Sequence, residues 1–272
     1  MIIGAFFFSV MSLLVKLAGQ RLPSQEIVLA RSVVMAVLAF AMLRRSRIPL
    51  LGERRRLLVL RGLLGFGALS CFYFALVHLP LADATVLQYT NPAFAAVFAV
   101  FALGERMRPR EIACLVLSLG GVLLVARPQF LFDAGTGLDP VVVSVALLGA
   151  VLSAAAYVVV RMLGSEHHLV VIFYFAVVSV IGSLPASVAT AVMPAPAEWL
   201  LLLGVGIFTH AGQVYMTRGL HLERAGRATA AALVQIVFAA ALGALVFSQF
   251  PDATGVAGAA LVMAGVLLLG RS

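Results

Sequence analysis

Apolar stretches of about twenty residues follow one another along almost the whole of this chain. Each is long enough to cross roughly 30 Å of hydrocarbon as a helix. Inside a bilayer, every backbone N–H and C=O must find its partner within the protein, and a helix satisfies them segment by segment. With 63% hydrophobic and 11% charged residues, the 272-residue chain lacks the polar surface that a soluble core of this size needs. The pattern predicts ten spans, near residues 2–19, 24–43, 57–77, 83–103, 110–126, 140–161, 168–192, 198–218, 228–247 and 254–270. Breaks between them carry the proline and polar residues that end helices, such as Pro194-Ala195-Pro196.

The second half of the chain repeats the first. Gly4-Ala5 through Lys16 to Gly19 aligns with Gly149-Ala150 through Arg161 to Gly164. His78-Leu79 and Thr85 align with His221-Leu222 and Thr229. Gly120-Gly121-Val122-Leu123-Leu124 aligns with Ala264-Gly265-Val266-Leu267-Leu268. The repeats are read as residues 1–127 and 140–272, joined by a turn-rich stretch containing Asp133-Ala134-Gly135-Thr136-Gly137.

Loop charge gives the expected orientation. With the N-terminus inside the cell, fifteen of the 19 Lys and Arg residues fall on the cytoplasmic side, Arg44, Arg54 and Arg106 among them. Arg21 and Arg127 fall outside, while Lys16 and Arg31 lie within spans. The positive-inside bias selects this arrangement, with both termini cytoplasmic. Five spans per repeat is an odd number, so the second repeat enters the membrane from the opposite side. His78 is then expected at the outer surface and His221 at the inner one. Inverted pairs of this kind build carriers that hold substrate near the midplane.

Polar residues within spans are costly and so mark function. Arg31 lies about seven residues into the second span, roughly 10 Å below the interface. Two readings stand: a cation for a substrate carboxylate or phosphate, or a structural Arg bonded to helix-end carbonyls. Gln88, Tyr89, Asn91 and Pro92 form the densest polar cluster. Gln88 and Asn91 share a helix face, and Pro92 kinks the helix by withholding a donor from the Gln88 carbonyl. The aligned residues Ala232, Gln235 and Ile236 keep an amide and lose the proline. His210 and Gln213 lie on one face with Thr217, near the bilayer centre. His210 reads either as a hydrogen-bonded structural residue or as a proton relay. Tyr73, Tyr157 and Tyr174 are candidate aromatic walls.

Other chemistry is thin. Every acidic residue falls in a loop or at a span end, so no span carries the carboxylate that proton relays often use. No phosphate-cradling Gly-Lys-Ser loop suggests ATP use. The His167-His168 pair is adjacent and expected to point two ways on a helix, which argues against a metal site. The net charge of +8 is accounted for by topology, so no nucleic-acid partner is expected. Cys71 and Cys114 fall inside spans and read as packing residues. The start Met1-Ile2-Ile3-Gly4 carries no basic leader, so the first run is read as a permanent span, with a short native leader upstream left open.

Leu79-Pro80-Leu81-Ala82-Asp83-Ala84-Thr85, Asn91-Pro92, Leu103-Gly104-Glu105-Arg106 and Gly120-Gly121-Val122-Leu123 resemble the EamA-type domain of the drug/metabolite transporter superfamily. The pairing of Lys16 with Arg31 resembles the same domain's opening. The second half departs from the pattern, with Ser248-Gln249 in place of the Gly-Glu pair and no Asn-Pro pair. The resemblance implies an all-α integral membrane protein of ten transmembrane helices, in two inverted five-helix repeats around a central cavity. It places Gln88, Asn91, His210, Gln213 and Gln235 on the helices around that cavity. The expectation is therefore a monomeric secondary transporter, without metal or cofactor, in a bacterial-type inner membrane. It would move an amino-acid-like, zwitterionic or anionic metabolite by alternating access, as an exporter. An exchanger or importer of larger anions is the alternative, and a structural or signalling membrane protein the non-transport one.

Overall fold

The computed structural model describes residues 1–79, 81–105, 107–126, 139–190, 192–247 and 253–270. The stretch containing Asp133 to Gly137 and residues Pro80, Arg106, Arg127, Ser248, Gln249, Asp252 and Arg271 lie outside them. Among the described residues there are twelve α-helices and no strand. They are α1 (Ile2–Ala18), α2 (Ser24–Arg45), α3 (Arg55–His78), α4 (Leu81–Gln88), α5 (Asn91–Leu103) and α6 (Pro109–Ala126). The second half gives α7 (Pro140–Met162), α8 (His168–Ala189), α9 (Pro196–Leu222), α10 (Ala225–Ala232), α11 (Gln235–Phe247) and α12 (Ala253–Gly270). Among the described residues seven segments are long and apolar enough to cross a membrane, two of them running through α4–α5 and α10–α11. Ile2–Ala18 and Ala253–Leu268 are shorter apolar helices.

Helix ends recur at one offset. α2 and α8 begin at Ser24 and His168 and end at Arg45 and Ala189, 144 residues apart at each end. The same 144 separates both ends of α4 from those of α10, α5 from α11, and α6 from α12. Two aligned sequences that share few side chains thus start and stop their helices together.

The expected spans 83–103 and 228–247 are each two helices rather than one. The first breaks at Tyr89–Thr90, where Thr90 N–H and Thr90 Oγ1 both donate to the Leu87 carbonyl, at 3.2 and 2.6 Å. Pro92 then sits in the first turn of α5, where a missing N–H costs nothing. The second break, Leu233–Val234, has no proline. Ile236 N–H donates to Leu233 O at 3.1 Å and Val237 N–H to Val234 O at 3.0 Å, bonds three residues back. The break therefore belongs to the repeated fold, and the proline is one of two ways to accommodate it. α5 ends as its sequence allows: Gly104 takes φ 66°, and Gly104 and Glu105 N–H groups donate to the Val100 and Ala99 carbonyls.

The chain divides into two compact units, each drawing on both halves of the sequence. The first holds Met1, Ile3–Phe66 and Val159–Leu222. In it α2 packs against α8 and α9, and α8 against α9. Its apolar centre includes Met35, Ala39, Ile172, Phe175 and Ala176, with Ile27, Leu202 and Val205 in a second cluster. α1 lies close on α9: a Cβ at Gly4 would stand 3.2 Å from the Gly212 carbonyl. Polar ties hold the ends. Arg21 donates Nε to Glu198 Oε1 at 2.8 Å, donates its Nη2 to Glu198 Oε2, and reaches the Met193 carbonyl at 2.8 Å. Glu166, 8% exposed, accepts from the N–H groups of Glu53 and Arg54 and so caps the start of α3.

The second unit holds Ile2, Gly67–Val158 and Glu223–Ser272. α6 packs along α12, α5 against α10, and α11 against α6 and α12. The α6–α12 contact is backbone to backbone, since a Cβ at Gly121 would lie 2.6 Å from the Gly258 carbonyl. Only glycine permits that approach. Glu105 Oε2 accepts from Ala225 N–H at 3.0 Å, capping α10. Glu111, 2% exposed, accepts from Arg108 N–H at 2.8 Å and pairs with Arg224 at 3.8 Å. The acidic residues at helix ends thus include two buried carboxylates, Glu111 and Glu166, both satisfied by backbone donors.

Candidate functional site

Each unit carries its own set of buried polar side chains. In the first unit the set lies on α9, a helix whose residues 210, 213 and 217 follow one face at i, i+3 and i+7. His210 is 6% exposed, Gln213 9% and Thr217 0%. His210 Nε2 meets the Met42 thioether of α2 at 3.3 Å. His210 Nδ1, Gln213 Oε1 and Thr217 Oγ1 are buried and have no hydrogen-bond partner among the described residues. Nearby threonines behave differently, since Thr209 Oγ1 donates to the Val205 carbonyl one turn back at 2.6 Å. Thr217 has the same option and does not take it. Buried polar atoms left unmatched cost about 1–3 kcal/mol each, so a row of them points to an absent ligand.

Arg31 is also buried in this unit, at 5% exposure on α2. It stands eleven residues before Met42, about 16 Å along the helix axis. The predicted cation and the predicted histidine therefore sit at different depths, and Arg31 is not a neighbour of His210.

The second unit gathers its set where α4 ends. Gln88, the last residue of α4, donates Nε2 to Ser153 Oγ of α7 at 2.9 Å, while its buried Oε1 has no partner among the described residues. Tyr89 follows in the break. Ser153 and Tyr157 are one turn apart on α7 and share a face, which meets Gln88 through Ser153. Asn91 opens α5 at 7% exposure with Pro92 buried beside it. Tyr73 is 7% exposed on α3, and Gln235 is half-buried as the first residue of α11.

Some participants escaped the sequence. Ser153 had one available signal, its position a turn before Tyr157, and Met42 had none. The histidine pair needs correction. The rings of His167 and His168 lie side by side, 4.2 Å between centroids, rather than pointing apart. His167 caps α8 by accepting from Leu169 N–H at 3.3 Å, so it turns back over the helix start. His168 Nε2 accepts from Arg218 Nε at 3.2 Å. Burial, with the Arg218 guanidinium nearby, holds His167 below the usual imidazole range. Among the described residues no group of three His, Cys, Asp or Glu could hold a metal ion.

The chain is similar to several known proteins along its full length. A model of the EamA-like transporter family matches residues 1–127 and again residues 141–271. The pseudopaline exporter CntI of Pseudomonas aeruginosa is 35% identical over 274 residues, covering 100% of this chain and 94% of that protein. Human solute carrier family 35 member G1 is 30% identical, covering 97% of this chain and 75% of its own. The S-adenosylmethionine uptake transporter of Rickettsia felis is 23% identical, covering 98% and 91%. A crystal structure with 19% identity superposes with a TM-score of 0.86 over 97% of this chain and 93% of the other, which gives the fold.

Proposed function

Because this chain belongs to the EamA-like transporter family, we propose that it is a secondary transporter that exports an amino-acid-like, zwitterionic or anionic metabolite. That it moves a small metabolite across a membrane follows from the family and from transporter relatives matched over nearly the whole chain. The observation carrying the site reading is the set of buried atoms without partners: His210 Nδ1, Gln213 Oε1 and Thr217 Oγ1 in one unit, Gln88 Oε1 in the other. In the first unit a substrate group supplies what His210, Gln213 and Thr217 lack, and Arg31 selects for negative charge. In the second unit, taken by itself, the phenols of Tyr73, Tyr89 and Tyr157 and the amides of Gln88, Asn91 and Gln235 are the candidate contacts.

The carrier architecture we propose is ten spans in two five-helix repeats, residues 1–127 and 140–272, inverted with respect to each other. The common 144-residue offset of the helix ends supports the repeat, and five spans per repeat supply the inversion. Both termini then face the cytoplasm of a cell whose inner membrane holds the protein as a monomer. Substrate is exposed to each side of the membrane in turn. Export is favoured by the 35% identity to a protein named as an exporter. The more distant relatives named as uptake transporters favour the second reading, import or exchange.

A thermal-shift screen of a metabolite library on the purified protein identifies the substrate, because any ligand of the native state raises Tm. The stabilising compounds then enter a counter-flow assay in proteoliposomes. Substrate on the far side accelerates an exchanger and leaves a net exporter nearly indifferent. If no stabilising compound crosses the membrane, the transport reading fails.

A further inference from the structure

The imidazole of His210 has its tautomer fixed by what it touches. A thioether sulfur has lone pairs and no proton, so the Nε2 that faces Met42 Sδ at 3.3 Å is the nitrogen that carries hydrogen. A bare Nε2 there would set lone pair against lone pair. Protonating both nitrogens would bury a cation and add a second donor with no acceptor. Neutral His210 therefore offers Nδ1 as a bare lone pair, and that atom is buried without a donor.

One turn along the same face, Gln213 Oε1 is buried without a partner among the described residues, and Thr217 Oγ1 follows it in the same state. An amide presents its oxygen by rotation, and a hydroxyl can accept as readily as it donates. The face thus holds one obligatory acceptor and two groups that can join it. His210 and Gln213 are one turn apart, so a group with several N–H donors on one atom can meet both, while Thr217 lies about 10 Å from His210 along the axis.

Resting on the transport reading above, we propose that the His210–Gln213 turn of α9 is the subsite for a substrate ammonium group, a primary or secondary amine. His210 accepts one N–H at Nδ1, and Gln213 Oε1, one turn on, accepts another. A quaternary ammonium, with no N–H, gains nothing from the face, and an N-acylated amine offers at most one donor. The transported class is then restricted to free amines and zwitterions, and simple dicarboxylates are excluded.

The test uses two cations of equal charge and equal heavy-atom count, n-butylammonium and tetramethylammonium. Each is added as the chloride, at matched ionic strength, to purified full-length protein in detergent. Butylammonium raises Tm and tetramethylammonium does not. In Gln213→Leu the butylammonium shift falls by at least half. Protein labelled with 15N-histidine gives the second reading, with His210 assigned by its loss in His210→Gln. Its Nδ1 resonance is that of an unprotonated nitrogen and moves with butylammonium alone. Equal response to both cations, no response to either, an unchanged shift in Gln213→Leu, or a protonated Nδ1 overturns the proposal. These measurements read binding only, so they stand apart from a failure of flux in proteoliposomes.

Discussion

Gln88 and Ser153, sixty-five residues apart in sequence, are joined by a 2.9 Å hydrogen bond from the amide nitrogen to the serine hydroxyl. The bond fixes the end of α4 on α7 while leaving the amide oxygen without a partner among the described residues. One end of Gln88 is thus structural and the other is free for ligand.

A double-mutant cycle on Gln88→Leu and Ser153→Ala should return a coupling energy of about 1 kcal/mol, as interhelical hydrogen bonds in membranes do. Thermal unfolding in detergent supplies the stabilities. Ser153→Ala alone should also weaken substrate binding, because Gln88 loses its anchor. Strict additivity of the two substitutions would show that the bond does not couple the helices.

Adjacent glycines on α6 should respond oppositely. A Cβ on Gly120 meets nothing within 4 Å, while one on Gly121 meets the Gly258 carbonyl at 2.6 Å and Val262 N at 2.8 Å. Gly121→Ala must push α6 and α12 apart, at about 1–3 kcal/mol. Gly120→Ala should be neutral or gain roughly 0.5–1 kcal/mol from helix propensity. Comparing Tm of the two variants in one detergent decides it, and equal destabilisation would refute the close approach.

What the sequence displayed and what it hid divide along range. Span positions were legible, because a run of apolar residues states its own length; α2 starts at the expected residue 24 and α12 ends at the expected 270. The His210–Gln213–Thr217 face was legible from helical spacing. The break at Leu233–Val234 was not, since no proline or glycine marks it and the bonds that make it are three-residue backbone bonds. Met42 and Ser153 were hidden for another reason. Each earns its role through a partner more than sixty residues away, and periodicity reports nothing about such pairs.

Glu166 tests a buried cap. Its Oε1 accepts two backbone N–H groups, those of Glu53 and Arg54, at the start of α3. Glu166→Leu strands both donors and should cost about 2–4 kcal/mol. Glu166→Gln retains an acceptor oxygen without the charge and should cost about 1 kcal/mol. Chemical or thermal unfolding of the purified variants reads the difference. If both cost the same, the carboxylate acts by volume and not by capping.

Arg31, 5% exposed within α2, should govern charge selection. Losing a charge-assisted contact to substrate is worth about 1.5–3 kcal/mol, so Arg31→Gln should lower flux of an anionic or zwitterionic substrate roughly tenfold or more. Arg31→Lys, which keeps charge and loses the bidentate fork, should fall between the two. Uptake into proteoliposomes measures it, with size-exclusion profile and Tm reporting folding. Undiminished flux in Arg31→Gln would assign the residue to structure.

Inversion makes the sharpest claim about topology. His78 ends α3 and Leu222 ends α9, the two positions sit 144 residues apart, and both are exposed, Leu222 at 85%. Parallel repeats would put them on one side of the membrane, and inverted repeats put them on opposite sides. With Cys71 and Cys114 replaced by alanine, His78→Cys and Leu222→Cys each supply a single thiol. A membrane-impermeant maleimide added to intact cells should label position 78 and spare position 222. Rupturing the cells should then open position 222 to the reagent. Labelling of both from outside, or of neither until rupture, would place the two helix ends on one face and remove the inverted repeat.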